Sequence, residues 1–180
     1  MKKKLMLILV TFLFCAATVF AQRYQAIYVS VIDGDTIKVF FEGSTQTVRL
    51  LNVDTPESKN NAKARRDAKK SKEDVKQIVI EGKKARDYTA QLLNGRTYIE
   101  LEFDIEKHDR YKRLLAYVWL DKDTMLNQKL LQENFAVPMV YAPNTKYSNI
   151  FGPATYNVKK STSSKKITRK QKAIELKKAS

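Results

Sequence analysis

Between Val31 and Glu57 the chain reads VIDGDTIKVFFEGSTQTVRLLNVDTPE, 27 residues that set Asp33, Asp35, Asp54 and Glu57 around a single arginine, Arg49. The available donors are hard oxygens: carboxylates, neighbouring backbone carbonyls and water, with no Cys or His among them. Such a set favours Ca²⁺ or Mg²⁺ over Zn²⁺. Two carboxylates brought close together repel, and a bound cation offsets that repulsion. Glu57, just past the pair, is placed to accept a proton from a water at the metal. Phosphodiester cleavage also needs positive charge where the transition state builds negative charge. Arg49 can meet two phosphate oxygens at once, which a lysine cannot. A second arginine is expected from the basic run His108–Arg113, with Arg113 the candidate. Asp33 reads as a turn residue, because Asp-Gly is a common turn former.

Strands and turns must bring these groups together. Arg23 to Ile32 alternates and reads as a first strand, followed by the turn Asp33-Gly34-Asp35. Thr36 to Glu42 reads as a second strand with Ile37, Val39 and Phe41 on one face. A turn at Glu42-Gly43-Ser44 makes a hairpin with a third strand, Gln46 to Val53, which Thr55-Pro56 ends. Asp35 lies eight residues before Gly43 and Asp54 11 after it, so both fall at one end of the hairpin with an offset between them. Ala85, Tyr88, Thr89, Leu92 and Leu93 have helical spacing, closed by Asn94-Gly95. Thr97 to Phe103 and Leu114 to Leu120 read as the fourth and fifth strands, the latter with Tyr117 and Trp119 as core. Asp121-Lys122-Asp123 turns the chain, and Thr124 is expected to cap a helix to about Ala136. Three strands, a helix, two strands and a helix is the order of a five-stranded Greek-key β-barrel of the OB type, an α+β fold with two to three helices.

The chain of 180 residues carries 34 Lys/Arg against 19 Asp/Glu, a formal charge of +15. That excess speaks of polyanionic partners rather than of fold. Residues 1–21 read as a cleavable signal peptide: Lys2, Lys3 and Lys4, an apolar run from Leu5 to Phe20, and Val19 and Ala21 suited to cleavage before Gln22. The run is short for a membrane span. The sole cysteine, Cys15, lies in it, so the mature chain would have no disulfide. A secreted or periplasmic product follows. Residues 22–153 are expected to form the domain, and 154–180 a basic, disordered tail. Lys59 to Arg86, with 11 Lys/Arg against four Asp/Glu, reads as a solvated helical or mobile stretch. Its functional alternative is a basic flap against substrate backbone. His108, the only histidine, reads as an exposed loop residue.

The segments VIDGDTIKV, VRLLNVDTPES and DRYKRLLAYVW, with the spacing of Asp35, Arg49, Asp54 and Glu57, resemble the staphylococcal nuclease (thermonuclease) family. The resemblance runs from about residue 24 to 144. It implies an OB-fold, Ca²⁺-dependent endonuclease acting on DNA and RNA, by in-line attack of water, leaving 3′-phosphate ends. Asp35, Asp54 and the Thr55 carbonyl would hold Ca²⁺, Glu57 would activate or orient water, and Arg49 and Arg113 would clamp the phosphoryl group. Tyr111, Lys112 and Tyr141 match substrate-binding positions, and Tyr141 could stack on a base. No stable protein partner is implied, and a monomer is expected. The chain departs from the family in three ways. The Lys59 to Lys84 stretch is expanded and more basic than usual. Lys112-Arg113-Leu114 stands where Gly-Arg-Gly is usual, and no C-terminal helix is visible after Asn144, where Phe151-Gly152-Pro153 reads as a breaker. Other classes remain: a non-catalytic OB module binding nucleic acid or another polyanion, or a basic surface adhesin. Neither needs Arg49, Arg113 and the three carboxylates together.

Overall fold

A computed structural model of the protein describes residues 22–151. The expected signal segment and the basic tail lie outside the described residues. Among those described, no helix is long and apolar enough to cross a membrane. In chain order the elements are β1 (Arg23–Asp33), β2 (Thr36–Phe41), β3 (Ser44–Leu50), β4 (Val53–Asp54), α1 (Ala62–Ser71), α2 (Val75–Leu93), β5 (Tyr98–Glu102), β6 (Leu114–Trp119), α3 (Leu126–Gln132), β7 (Val137–Pro138) and α4 (Ser148–Phe151). Five strands close into a barrel in the order β1-β2-β3-β6-β5. Its walls are antiparallel except for β3 against β6, which is parallel. This is the α+β barrel that the alternating strand pattern predicts, with four helices among the described residues, the last a single turn.

The barrel follows from period-two burial. On β2, Ile37, Val39 and Phe41 are buried while Lys38 and Phe40 face out. The β2–β3 hairpin turns on Glu42 and Gly43, both at positive φ (48° and 78°), as a two-residue turn matched to strand twist requires. Val48 and Leu50 of β3, Ile99 and Leu101 of β5, and Ala116 and Val118 of β6 complete the interior. Leu126 and Leu130 of α3 close one end. Tyr117 is wholly buried in a second cluster with Leu51, Met125 and Phe151. Trp119 is half-buried and donates its indole N–H to buried Glu102 at 2.7 Å.

The third strand is broken where a continuous one was expected. Asn52 adopts φ 61°, which Asn tolerates better than most residues. The backbone of the break is held from several sides: Leu51 N–H donates to the Ala116 carbonyl at 3.0 Å, the Leu51 carbonyl accepts from Asn127 Nδ2 at 2.8 Å, and the Asn52 carbonyl accepts from Met139 N–H at 3.0 Å. Asn52 Nδ2 donates to the Tyr117 hydroxyl at 2.7 Å. Val53–Asp54 therefore leaves the barrel wall and pairs with β7. Both are two-residue strands, too short to show a period in sequence.

Of the two readings open for the basic stretch 59–86, solvated helix or mobile loop, the structure takes the helical one, as two helices. In α2 the residues Ile78, Gly82, Ala85, Thr89 and Leu93 form one buried stripe. Asp74 caps it through Lys76 N–H at 2.9 Å. At the far end the chain turns through Gly95 at φ 73°. Helix α3 corrects a second expectation. Its N-cap is Met125 with no side-chain cap bond, and it ends at Gln132. Thr124 instead closes the preceding turn, its carbonyl accepting from Leu120 N–H at 2.8 Å. Beyond Asn144 the single turn α4 buries Phe151 against Tyr117 and Tyr147. That aromatic contact ties in a segment read as a breaker.

Candidate functional site

Register assembles the first part of the site. Thr36 on β2 lies opposite Arg49 on β3, so the Arg49 side chain emerges beside Asp35. The Asp35 carbonyl accepts from Leu50 N–H at 2.9 Å, locking the turn to β3. The break at Leu51–Asn52 then returns Asp54 to the same point. One guanidinium spans both acids: Arg49 Nη1 pairs with Asp35 Oδ2, and Arg49 Nη2 with Asp54 Oδ1 at 2.7 Å. Asp35 is buried and well satisfied. Its Oδ2 also accepts from Thr55 N–H at 2.8 Å and Thr55 Oγ1 at 3.0 Å, and its Oδ1 from Thr36 Oγ1 at 2.9 Å. Burial, with the neighbouring charge of Arg113, pulls the Arg49 guanidinium below its ordinary value, against the opposing pull of Asp54. Of the cluster, Arg49 stands on the barrel strand β3, Asp35 on the β1–β2 turn and Asp54 on β4 just outside the wall.

Glu57 is set by α2 and by the start of α1. A Cβ on Gly82 would overlap the Glu57–Ser58 backbone, so this helix position must be glycine for the segment to lie against it. On the other side, Asp33 accepts from Gly34 N–H at 3.0 Å and Ser58 N–H at 3.2 Å, stapling the β1–β2 turn to the Glu57 segment. Asp33 is thus the turn residue that Asp-Gly predicts, with an added tie. Asn61 caps α1 by accepting from Ala64 N–H at 2.9 Å, and its Nδ2 donates to Glu57 Oε2 at 2.6 Å. Lys63 reaches Glu57 Oε1 at 3.2 Å and Asp54 Oδ2 at 3.4 Å. Burial alone would raise Glu57. The Asn61 hydrogen bond and the charges of Lys63 and Arg49 outweigh it and hold the carboxyl below its usual value.

Arg113 stands directly before β6, whose Leu114 and Leu115 pair in parallel with Val48 and Arg49. The β3–β6 ladder therefore brings both arginines to one side of the barrel. The loop is organised by Asp109. Its Oδ1 accepts from Tyr111 N–H at 2.8 Å and Arg113 N–H at 2.9 Å, and its Oδ2 from Arg113 Nε at 2.7 Å. Burial raises Asp109, but these bonds and the Arg113 charge win and lower it. Lys112 stands at φ 62°, the left-handed region that favours glycine, so the filled glycine position keeps the backbone shape at a steric cost. Leu114, the other filled position, is buried in the barrel.

The remaining expected contacts are peripheral. Tyr111 is 64% exposed and touches Arg113, whose guanidinium carbon lies 5.6 Å from its ring centroid. Lys112 is exposed beside it. Tyr141, 68% exposed, lies in a turn anchored by Asn144, which exchanges two hydrogen bonds with the Glu106 backbone. His108 is exposed, as expected. The structure therefore unites Asp35, Arg49, Asp54, Thr55 and Glu57, sets Arg113 beside them, and leaves Tyr111, Lys112 and Tyr141 on the rim loops. Sequence reasoning missed Asn61, Lys63, Gly82 and Asp109. Two had signals: an Asn at a helix start, and a lone Gly inside a helical pattern.

Among the described residues no three His, Cys, Asp or Glu side chains gather as a metal cage. The oxygens that could hold Ca²⁺ are those of Asp35, Asp54 and the Thr55 carbonyl. They suit a cation, because the protein's own cations already sit on them. Lys63 Nζ lies 3.3 Å from the Thr55 carbonyl and 3.4 Å from Asp54 Oδ2, and Arg49 pairs with Asp35 Oδ2 and Asp54 Oδ1.

A closed five-stranded barrel with two aspartates bridged by an arginine, a capped glutamate and a second arginine at the parallel seam defines an OB-type protein built around one acid–arginine site. The chain belongs to the family described as staphylococcal nuclease homologue, whose model matches residues 47–167. It is 41% identical over 127 residues to the thermonuclease of Staphylococcus hyicus, covering 70% of this chain and 64% of that protein. To the thermonuclease of Staphylococcus intermedius it is 41% identical over 118 residues, 65% and 61% of the two chains. To endonuclease YncB of Bacillus subtilis it is 41% identical over 123 residues, 67% and 51%. The match spans between half and just under two thirds of these relatives' lengths.

Proposed function

We propose that this chain is an endonuclease, hydrolysing phosphodiester bonds of DNA and RNA with Ca²⁺ as its cofactor and leaving 3′-phosphate ends. The observation that carries the reading is the Arg49 guanidinium spanning Asp35 and Asp54, with Glu57 and Arg113 at the same point. The names of the relatives agree with it. Bound Ca²⁺ would supply positive charge beside a phosphoryl oxygen. Asn61 aims the Glu57 carboxylate, and Lys63 and Arg49 keep it ionised, so it can orient a water and take its proton. The water oxygen bonds to phosphorus in line as the bond to the 5′-oxygen breaks, and that oxygen leaves to be protonated from solvent. Arg49 and Arg113 donate to the nonbridging oxygens as charge builds there. Residues 1–21 are read as an export signal, placing a monomeric enzyme in the periplasm or outside the cell.

The test is digestion of plasmid and single-stranded DNA by the purified protein, with Ca²⁺ or with chelator, beside Glu57→Gln. Cutting that stops with chelator and falls sharply in the variant is expected. Cutting untouched by either overturns the mechanism. DNA retarded in a gel but never cut would instead support a non-catalytic binding module.

A further inference from the structure

Lys63 is in the wrong place for its own helix. It lies in the first turn of α1, where the peptide dipoles leave partial positive charge and acidic residues are favoured. That turn holds no acid. The helix's other lysines at an end, Lys69 and Lys70, lie in the last turn, where the dipole favours them. Lys63 is also only 28% exposed, whereas Arg65 and Arg66 beside it reach solvent. Its position makes sense only against what it touches. Its ammonium lies 3.4 Å from Asp54 Oδ2, 3.3 Å from the Thr55 carbonyl, 3.2 Å from Glu57 Oε1 and 3.3 Å from Asp67 Oδ2. Two of these four oxygens belong to the candidate Ca²⁺ set and a third to the residue that orients water.

We propose that Lys63 is a tethered cation of the site, occupying oxygens of Asp54 and Thr55 that the divalent ion also needs, so that the ion binds by displacing it. The inference rests on the Ca²⁺ site of the proposed function. The Asn61 cap fixes where α1 starts and so aims Lys63 at Asp54 and Thr55. Asp67, one turn along on the same face, gives the ammonium a partner once it leaves Asp54 and Thr55. Ca²⁺ affinity is then set by competition between an internal monovalent cation and an external divalent one. The start of α1 changes its contacts whenever the ion enters, and the released ammonium lies at the point where a substrate phosphate arrives.

The test is calorimetric titration of the full chain with Ca²⁺, comparing wild type, Lys63→Gln, Lys63→Met, Lys63→Arg and Arg66→Gln, with melting temperature recorded with and without the ion. Removing the competitor should tighten Ca²⁺ binding about fivefold or more in Lys63→Gln and Lys63→Met. Both should melt lower than wild type without Ca²⁺ and gain more from it. Lys63→Arg should bind like wild type. Arg66→Gln removes the same charge from the same helix and should shift the affinity less than about twofold, since exposed charges are screened. Unchanged or weaker binding in the Lys63 variants overturns the tethered cation while leaving the Ca²⁺ site standing. Equal tightening in Arg66→Gln overturns it too, as a general charge effect. No Ca²⁺ binding by any variant overturns the Ca²⁺ site and this inference with it.

Discussion

Arg49 and Arg113 reach one side of the barrel by different means. Arg49 grows from β3, its strand bonded on both sides and its guanidinium fixed between Asp35 and Asp54. Arg113 ends a loop that organises itself: Asp109 alone receives its backbone N–H and its side chain. The first arginine is held by sheet register and by residues from several segments, the second by the five-residue segment Asp109–Arg113 with a lysine in left-handed geometry. A site of this kind is robust at one pole and adjustable at the other. Changes at the barrel pole should cost chemistry and folding together, whereas changes at the loop pole should cost chemistry with little folding.

The largest effect is expected from Arg49→Lys, which keeps the charge and loses the two-pronged contact. Cleavage should fall about 10²- to 10³-fold, measured as kcat on a defined oligonucleotide. Gly82→Ala is next. The added methyl meets the Glu57 backbone, so unfolding free energy should drop by roughly 1–3 kcal/mol and kcat should fall with it. Urea melts beside rate measurements check this, and a loss of neither would show that α2 does not seat Glu57.

Asp109→Ala should separate the poles. With its acceptors gone, Arg113 is freed, and cleavage should fall about 10- to 100-fold while stability falls by only about 1–2 kcal/mol. The same residue gives a pH dependence. Its folded pKa lies below the ordinary carboxylate value, so its contribution to loop stability is complete above about pH 4. That contribution is lost as pH falls through the lowered value. The amide resonances of Tyr111 and Arg113, followed by NMR on acidification, should report it. The smallest effect on stability is expected from Lys112→Gly. Relief of the positive φ should exceed the added chain entropy by at most about 1 kcal/mol, seen as a slightly higher melting temperature.

The barrel and the acid–arginine cluster were legible in sequence because both rest on strand alternation and on counting from a turn. Ile37, Val39 and Phe41 announce their face, and Asp35 and Asp54 announce their end of the hairpin. The break at Asn52 was foreseen only as an offset, since its cause lies in Asn127 and Tyr117, far along the chain. Thr124 looked like a cap but serves a turn, because Asp121 accepts from its N–H first, at 2.8 Å. The stretch 59–86 was legible only as helical or mobile, because its charge masked the sparse stripe of Ile78, Gly82 and Ala85 that settles it as two helices. Lys63 and Asp109 act through tertiary neighbours and through a side-chain-to-backbone turn. Neither leaves a periodic trace.

The central claim is that Arg49 and Arg113 act on one phosphoryl group despite their different supports. Single-turnover cleavage of one defined phosphodiester, in wild type, Arg49→Lys, Arg113→Lys and the double variant, tests it most directly. Each single variant should be slowed by about 10²-fold or more, and the double variant should lose clearly less than the product of the two losses. A wild-type rate in either single variant, or losses that multiply as they would for independent sites, would contradict it.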